Sequence, residues 1–342
     1  MSIRIHDKSV GDGFPVFFIA EIAGNFTNFD QAKKVINAAI RSGCDCIKFQ
    51  TYSADTATTR KNYFDMENVG RVPQYELLKL CECSPELQHQ VMDYCRSEKI
   101  LAFSAPSHIS DLELLEALEN PVYKIGSDLA CHIPLLHKVA QFNKPIILST
   151  GMCTLEEVRL SVDTILNEGN DQLILMHCVS DYPAKYNEVN LRAITTLKET
   201  FGLPVGYSDH CIGPEISLAA IALGANIIER HFMTKGIKGG PDAVLSSDEQ
   251  EMRYLIDTAK HIGSAFGDGI KRPSPSEYRN RLRNRVSICS LMDIPTGTII
   301  MEDMVDIRRP GSGIQPVFFE QIIGRIARKN IPKDEAITWD MI

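Results

Sequence analysis

The feature that most constrains this chain is an alternation of short, continuously apolar runs with longer stretches of helical periodicity. The runs occupy residues 16–22 (VFFIAEI), 46–51 (CIKFQT), 100–106 (ILAFSAP) and 121–127 (PVYKIGS), then 144–150 (KPIILST), 173–179 (LILMHCV), 204–210 (PVGYSDH) and 226–232 (NIIERHF). Helix-period segments lie between them, as at 30–41, 86–99, 110–118, 155–167 and 215–223. Continuous apolar strands separated by helices read as parallel strands buried on both faces. About eight such units is the count of a (β/α)8 TIM barrel. An open doubly wound sheet is the main rival, but it usually has fewer strands, and no G-x-G-x-x-G follows the first run.

The position of the polar residues favours the barrel. Nearly every run carries them at its C-terminal end: Glu21, Lys48 and Gln50, Ser104, Lys124 and Ser127, Ser149, His177 and Ser180, Ser208 and His210, Glu229 and His231. In a barrel those ends converge on one mouth, where catalytic groups sit. The reading is an α/β chain with a barrel over residues 1–270. Residues 271–285 (KRPSPSEYRNRLRNR) read as a linker, and 286–342 as a small β-rich domain whose most polar turn is Arg308-Arg309-Pro310-Gly311-Ser312-Gly313.

Composition narrows the function. Lys and Arg total 36 against 44 Asp and Glu, a net charge of −8, which argues against a nucleic-acid or anionic-membrane partner. No apolar run approaches the ~20 residues of a membrane span. The first residues, MSIRIHDKSVGDG, contain no hydrophobic signal core, so a cytoplasmic location is expected. The ten cysteines form no C-x-x-C framework and are expected to be reduced, buried thiols.

His210 and His231 close consecutive runs, and imidazoles at adjacent strand ends can share one divalent ion whose remaining positions go to water or substrate. The alternative is a pair of hydrogen-bonded histidines in a polar mouth. His177 is open between hydrogen bonding and ligand contact. Lys48 and Lys124 lie inside strands, where an unpaired ammonium is unfavourable. With Ser127, Ser149, Ser180 and Ser208 they suit a phosphate or carboxylate. Glu21 reads as a general base, a sugar-hydroxyl acceptor, or the salt-bridge partner of one of those lysines. Asp242, in Gly239-Gly240-Pro241-Asp242, reads as a substrate ligand or a turn cap.

Together the motifs AEI..N (Glu21, Asn25), IKFQT, FSAP, YKIGS, PIILSTGM, HC.S.YPA, GYSDH, ERHF, the GPD loop and RRPGSG resemble the sialic acid synthase family over almost the whole chain. That family condenses phosphoenolpyruvate (PEP) with an N-acyl hexosamine to make a nonulosonic acid. The resemblance implies that the C-terminal segment is an antifreeze-like (SAF) domain and that the protein is a domain-swapped homodimer. It implies a divalent ion on His210 and His231, Mn²⁺ preferred with Mg²⁺ or Co²⁺ as alternatives. It implies PEP contacts from Lys48, Lys124, Ser127, Ser149, Ser180 and Ser208. Sugar contacts or catalytic roles fall on Glu21, Gln50, Tyr182 and Asp242, with Arg309 contributed in trans to the N-acyl group.

The chain departs from the family pattern at Phe26, where a histidine is usual, at Ala105 for a threonine, and at Leu129 for an acid that Asp128 precedes by one residue. Val69 stands where an acceptor-binding asparagine is usual. The GPD loop matches the neuraminate and legionaminate branches better than the pseudaminate branch, so N-acetylmannosamine or a 2,4-diacetamido-trideoxy relative is the expected acceptor. A metal-dependent or Lys124 Schiff-base aldolase, or a sugar-binding relative without turnover, are the competing readings.

Overall fold

A computed structural model describes residues 1–66, 70–237 and 240–342, the side chains of 65 and 66 excepted; Val69 and Gly239 lie outside the described residues. The chain divides into two compact units, Met1–Phe266 and Gly267–Ile342.

The first unit is the barrel. Its strands are β1 (Phe17–Glu21), β2 (Cys46–Thr51), β3 (Leu101–Pro106), β4 (Tyr123–Ile125), β5 (Ile146–Ser149), β6 (Leu173–Cys178), β7 (Val205–Asp209) and β8 (Ile227–His231). They form one parallel sheet in the order β3-β2-β1-β8-β7-β6-β5-β4. The crossover helices are α1 (Phe29–Ser42), α2 (Pro85–Ser97), α3 (Asp111–Ala117), α4 (Ile133–Ala140), α5 (Leu155–Asn167), α6 (Ala193–Phe201), α7 (Glu215–Ala222) and α8 (Glu249–Ala265). Local chemistry starts and stops them: Asn28 caps α1 through the Gln31 N–H, Gly43 ends it at φ 90°, and Thr154 with Glu157 makes a capping box on α5.

The seam between edge strands β3 and β4 is closed by a side chain. The fully buried Asn120 amide accepts from the Ser104 N–H at 2.8 Å and donates to the carbonyls of Ser104 (3.1 Å) and Val122 (2.7 Å). It supplies bonds that a ladder would otherwise make.

Two apolar clusters hold the barrel. One lies between sheet and helices. The other fills the lower barrel with Ile19, Val122, Ile147, Ile174 and Ile227, and is plugged by Ile3, Ile5 and Val10 of an antiparallel hairpin, Ser2–Ile5 with Lys8–Gly11. Side chains on a strand repeat with period two. The inward face therefore passes from apolar to polar in one step: Ile19 to Glu21, Val122 to Lys124, Ile147 to Ser149, and Ile227 to Glu229 and then His231.

In the second unit Ser287–Ser290 and Val305–Arg308 pair antiparallel around an isoleucine-rich core including Ile288, Ile300, Ile314 and Ile337. Regular strand is scarcer than the composition suggests, because 3-10 turns and single bridges such as Ile294–Ile331 carry much of the chain. The stretch expected to be a linker begins the second unit instead. It forms a turn at Pro275–Glu277 and a helix at Tyr278–Asn284, whose Leu282 carbonyl accepts from the Gly311 N–H at 2.8 Å. The expectation of buried thiols fails at Cys131, which is exposed in the β4–α4 loop.

Candidate active site

The polar tips of the strands line one cavity of about 500 Å³ at the C-terminal end of the barrel. It collects Glu21, Lys48, Gln50, Lys124, Ser127, Ser149, Ser180, Tyr182, Ser208, His210, His231 and Asp242, together with Asp128, Leu129 and Glu229. Barrel geometry brings them together: register places Glu21 opposite Lys48 on one side and opposite His231 on the other, and Ser208 opposite Glu229.

At the floor sits a buried quartet of two lysines and two glutamates. Lys48 pairs with Glu21 and, at 3.1 Å, with Glu229 Oε1, which is also 3.4 Å from Lys124 Nζ. Ser208 Oγ donates to the same oxygen at 3.3 Å, and Lys124 donates to Ser149 Oγ at 2.7 Å. Burial opposes the charge on Lys48, but the carboxylates of Glu21 and Glu229 outweigh it and raise its pKa. Burial lowers the pKa of Lys124 despite Glu229. Burial also opposes the Glu229 charge, yet Lys124 and Lys48 hold that carboxyl at about 2. Both lysines are thus ion-paired at the cavity floor, and Glu21 makes a salt bridge with Lys48. Glu229, left without a role in the sequence reading, is the hub. Its other oxygen, Oε2, has no hydrogen-bond partner among the described residues.

At Gly151 the backbone passes close to two serine hydroxyls of the cavity. The Gly151 N–H donates to Ser127 Oγ at 3.0 Å. A Cβ on Gly151 would lie 2.5 Å from Ser180 Oγ and 2.8 Å from Ser127 Oγ, so no other residue fits without displacing a hydroxyl.

His210 and His231 lie together in the cavity, where among the described residues no group of three or more His, Cys, Asp or Glu side chains could hold a metal ion. His210 Nδ1 lies 2.6 Å from the Val179 carbonyl, which can only accept, so its Nε2 carries the lone pair. Burial, with His231 alongside, lowers the His210 pKa to about 3 and keeps the ring neutral. The ring centroids of His210 and His231 are 5.6 Å apart, and Tyr182 stacks on His210 at 4.2 Å. His231 Nδ1 is buried without a hydrogen-bond partner among the described residues, with Asp242 Oδ2 at 3.5 Å. These orphaned and pre-oriented nitrogens fit a divalent cation. Behind them, Arg230 donates to Asp209 (2.6 Å), Ser247 (2.7 Å) and the Cys211 carbonyl (3.1 Å), locking β7 to β8.

His177 resolves to hydrogen bonding. It alternates with Met176 and Cys178, which face inward, and its Nε2 meets the Val189 carbonyl at 2.7 Å. Asn25 ties the β1 loop to the loop bearing Asp242, donating to the Phe232 carbonyl (3.0 Å) and accepting from the Gly240 N–H (3.3 Å). Phe26 is buried between sheet and helices. Arg309 belongs to the second unit, exposed on a turn in which Ser287 Oγ donates to the Pro310 carbonyl at 2.5 Å.

With this geometry established, comparison with known proteins is decisive. The NeuB family model matches residues 35–271, and the SAF domain model matches 286–342. The chain belongs to the NeuB family. Its relatives include the N,N'-diacetyllegionaminic acid synthase of Campylobacter jejuni, 36% identical over 93% of this chain and 98% of that protein. A pseudaminic acid synthase of the same species is 34% identical over 94% and 95%. The crystal structure of an N-acetylneuraminic acid synthetase from Leptospira borgpetersenii superposes with a TM-score of 0.72 at 30% identity, covering 82% of this chain and 95% of that one. The NeuB-family chain is therefore a nonulosonic acid synthase-type barrel with a C-terminal SAF domain.

Proposed function

We propose that this NeuB-family protein condenses PEP with the open-chain form of an N-acyl hexosamine, releasing phosphate. The acceptor is N-acetylmannosamine or a 2,4-diacetamido-2,4,6-trideoxyhexose, which would make the product a sialic, legionaminic or pseudaminic acid. The single observation that carries the reading is the placement of the Lys48–Glu21–Glu229–Lys124 quartet beside His210 and His231 in one cavity. The cations proposed to meet PEP and the imidazoles proposed to hold a metal thus line the same cavity.

PEP binds with its phosphate and carboxylate on Lys48, Lys124 and the hydroxyls of Ser127, Ser149, Ser180 and Ser208. His210 and His231 would hold a divalent ion, Mn²⁺ in preference to Mg²⁺ or Co²⁺, and it would supply Lewis-acid polarisation of the sugar carbonyl. PEP C3 attacks that carbonyl carbon and forms the new C–C bond while its oxygen takes a proton. The new bond leaves C2 electron-deficient; water adds there, and the proton it gives up balances the one taken by the sugar oxygen. The tetrahedral intermediate then breaks its C–O bond to phosphate, leaving a 2-keto acid. Glu21, Gln50, Tyr182 and Asp242 orient the sugar.

A homodimer in which Arg309 reaches the partner's cavity accords with two features of the chain. Arg309 is exposed on a tightly held turn, and exposed Met152, Tyr186, Ile212 and Val244 decorate consecutive loops at the barrel mouth. A cytoplasmic location would accord with PEP as the proposed substrate. The test is phosphate release from PEP with Mn²⁺ across a sugar panel, with and without EDTA. Release with one N-acyl hexosamine, abolished by EDTA, is expected. Release unaffected by EDTA would refute the metal, and silence with every sugar would refute the reaction.

A further inference from the structure

Strands β4 and β5 pair with Lys124 opposite Ile147 and Ile125 opposite Leu148, so the loops that follow them leave the barrel side by side. Those two loops carry a pair of free thiols. Cys131 is exposed in the β4–α4 loop, and Cys153 is half-buried just before Thr154, the cap of α5. The two side chains meet as hydrogen-bond partners. Burial and then Cys131 raise the Cys153 pKa, so Cys153 keeps its proton at neutral pH while Cys131 is the sulfur open to solvent. The backbone around Cys131 is anchored on both sides. Ser161 Oγ of α5 donates to the Ala130 carbonyl at 2.7 Å, and His132 caps α4 through the Leu135 N–H. Neither thiol is among the cavity-lining residues, yet Ser127, four residues before Cys131, and Met152, next to Cys153, both are. The two loops touch there through the Gly151 N–H and Ser127 Oγ. The contact has no slack: a Cβ on Gly151 would lie 2.9 Å from Cys178 Sγ as well as against the two serine hydroxyls.

We propose that Cys131 and Cys153 are a redox-modification site: a peroxide joins them in a disulfide, which disturbs the cavity wall at Ser127 and Gly151. Hydrogen peroxide first oxidises the Cys131 thiol to a sulfenic acid, breaking the O–O bond, forming an S–O bond and releasing one water. The Cys153 sulfur then attacks the Cys131 sulfur. The S–S bond forms as the S–O bond breaks, and the Cys153 proton leaves with the hydroxyl as a second water. Two thiols and one peroxide thus give one disulfide and two waters, the sulfurs losing the two electrons that the peroxide gains. A dithiol reverses the bond by exchange. A covalent link holds two sulfurs closer than a hydrogen bond does, so it draws the loops together. Ala130 and His132 hold Cys131 in place, and the side that yields is 150–153, where Met152 is exposed with φ 63°. Gly151 then shifts against Ser127 and Ser180. The effect on PEP rests on the binding proposed above; the disulfide itself does not.

The experiment treats the full-length protein with hydrogen peroxide, blocks the remaining thiols, and maps disulfides by mass spectrometry of unreduced peptides. PEP is titrated calorimetrically into the same protein before peroxide, after it, and after dithiothreitol. A peptide linking Cys131 to Cys153 is expected, with the Kd for PEP raised about tenfold or more and restored by dithiothreitol. Cys131→Ser and Cys153→Ser, each made singly, should bind PEP as the reduced protein does, both before and after peroxide. Absence of the linked peptide would overturn the site. A linked peptide with an unchanged Kd would overturn its coupling to the cavity. An equal loss of affinity in both serine variants would also overturn the coupling, since another group would then carry the effect. Failure of the reduced protein to bind PEP would refute the PEP reading instead, and the linked peptide would still decide for or against the thiol pair.

Discussion

Replacing Glu229 by glutamine tests whether the floor of the cavity is held by charge. Glu229 is buried, 3.1 Å from Lys48 and 3.4 Å from Lys124. Glutamine keeps the shape and the contact with Ser208 but removes the charge. Lys48 retains Glu21, whereas Glu229 is the carboxylate ion-paired with Lys124 among the described residues. An ammonium only 3% exposed then has two outcomes. Staying charged and unpaired costs about 3–5 kcal/mol. Shedding its proton at pH 7, against an ordinary value of 10.5, costs at most about 5 kcal/mol at about 1.4 kcal/mol per pH unit. The two limits agree, and burial already lowers the Lys124 pKa in the intact protein, so the variant should lose up to about 3–5 kcal/mol at pH 7. The unfolded lysine keeps its ordinary pKa, so below 10.5 the unfolded chain binds a proton that the folded variant resists. Stability must therefore rise with pH, and the loss should shrink to about 1–2 kcal/mol by about pH 9.5. Denaturant unfolding followed by far-ultraviolet circular dichroism at both pH values measures this. A loss below about 1 kcal/mol at pH 7, or an equal loss at both pH values, would show that Lys124 is not left as a buried, unpaired cation.

Four further outcomes are expected. His231→Ala should abolish turnover while changing the melting temperature by only a few degrees; turnover that survives in this variant or in chelator would remove the metal from the site. Arg309→Ala should raise the KM for the sugar and leave that for PEP nearly unchanged, and normal acceptor binding would exclude the trans arginine. Gly151→Ala should weaken PEP binding by about tenfold or more, because its methyl group occupies the space against Ser180 and Ser127; isothermal titration with PEP would check it. Asn120→Leu should destabilise the barrel by about 2–4 kcal/mol by orphaning the Ser104 N–H and two carbonyls, measured as a shift in denaturation midpoint.

Much of the fold was legible because continuous apolar runs can be buried only as two-sided strands. The structure trims the runs at their ends. Residues 121–127 shorten to Tyr123–Ile125 because Ser127–Leu129 leaves the strand as a 3-10 turn, and His210 falls one residue beyond β7. Apart from Ser104 and His177, the nominated barrel residues line one cavity, since period-two alternation carries those polar tips to the same side as the apolar residue before each. Glu229 could have been assigned by that rule, sitting between Ile227 and His231 on one face. The rule also separates His177 from Cys178. The helix Gln74–Cys81 had a visible apolar stripe, but nothing local says whether such a stripe meets a core or a cavity.

The sequence by itself determined the parallel strands, their number and the end of the barrel at which chemistry collects. Those depend on hydrophobic period and on the order of residues within each run, both local properties. Only the tertiary structure decided that Lys48 and Lys124 share Glu229, that Asn120 closes the seam between β3 and β4, and that Leu77 and Leu78 face the cavity. Each of these joins residues distant in the chain, through strand register and loop path. A slip of one residue in register would turn every inward side chain outward. Such pairings are set by the packing of the whole barrel and are not written in any one of its segments.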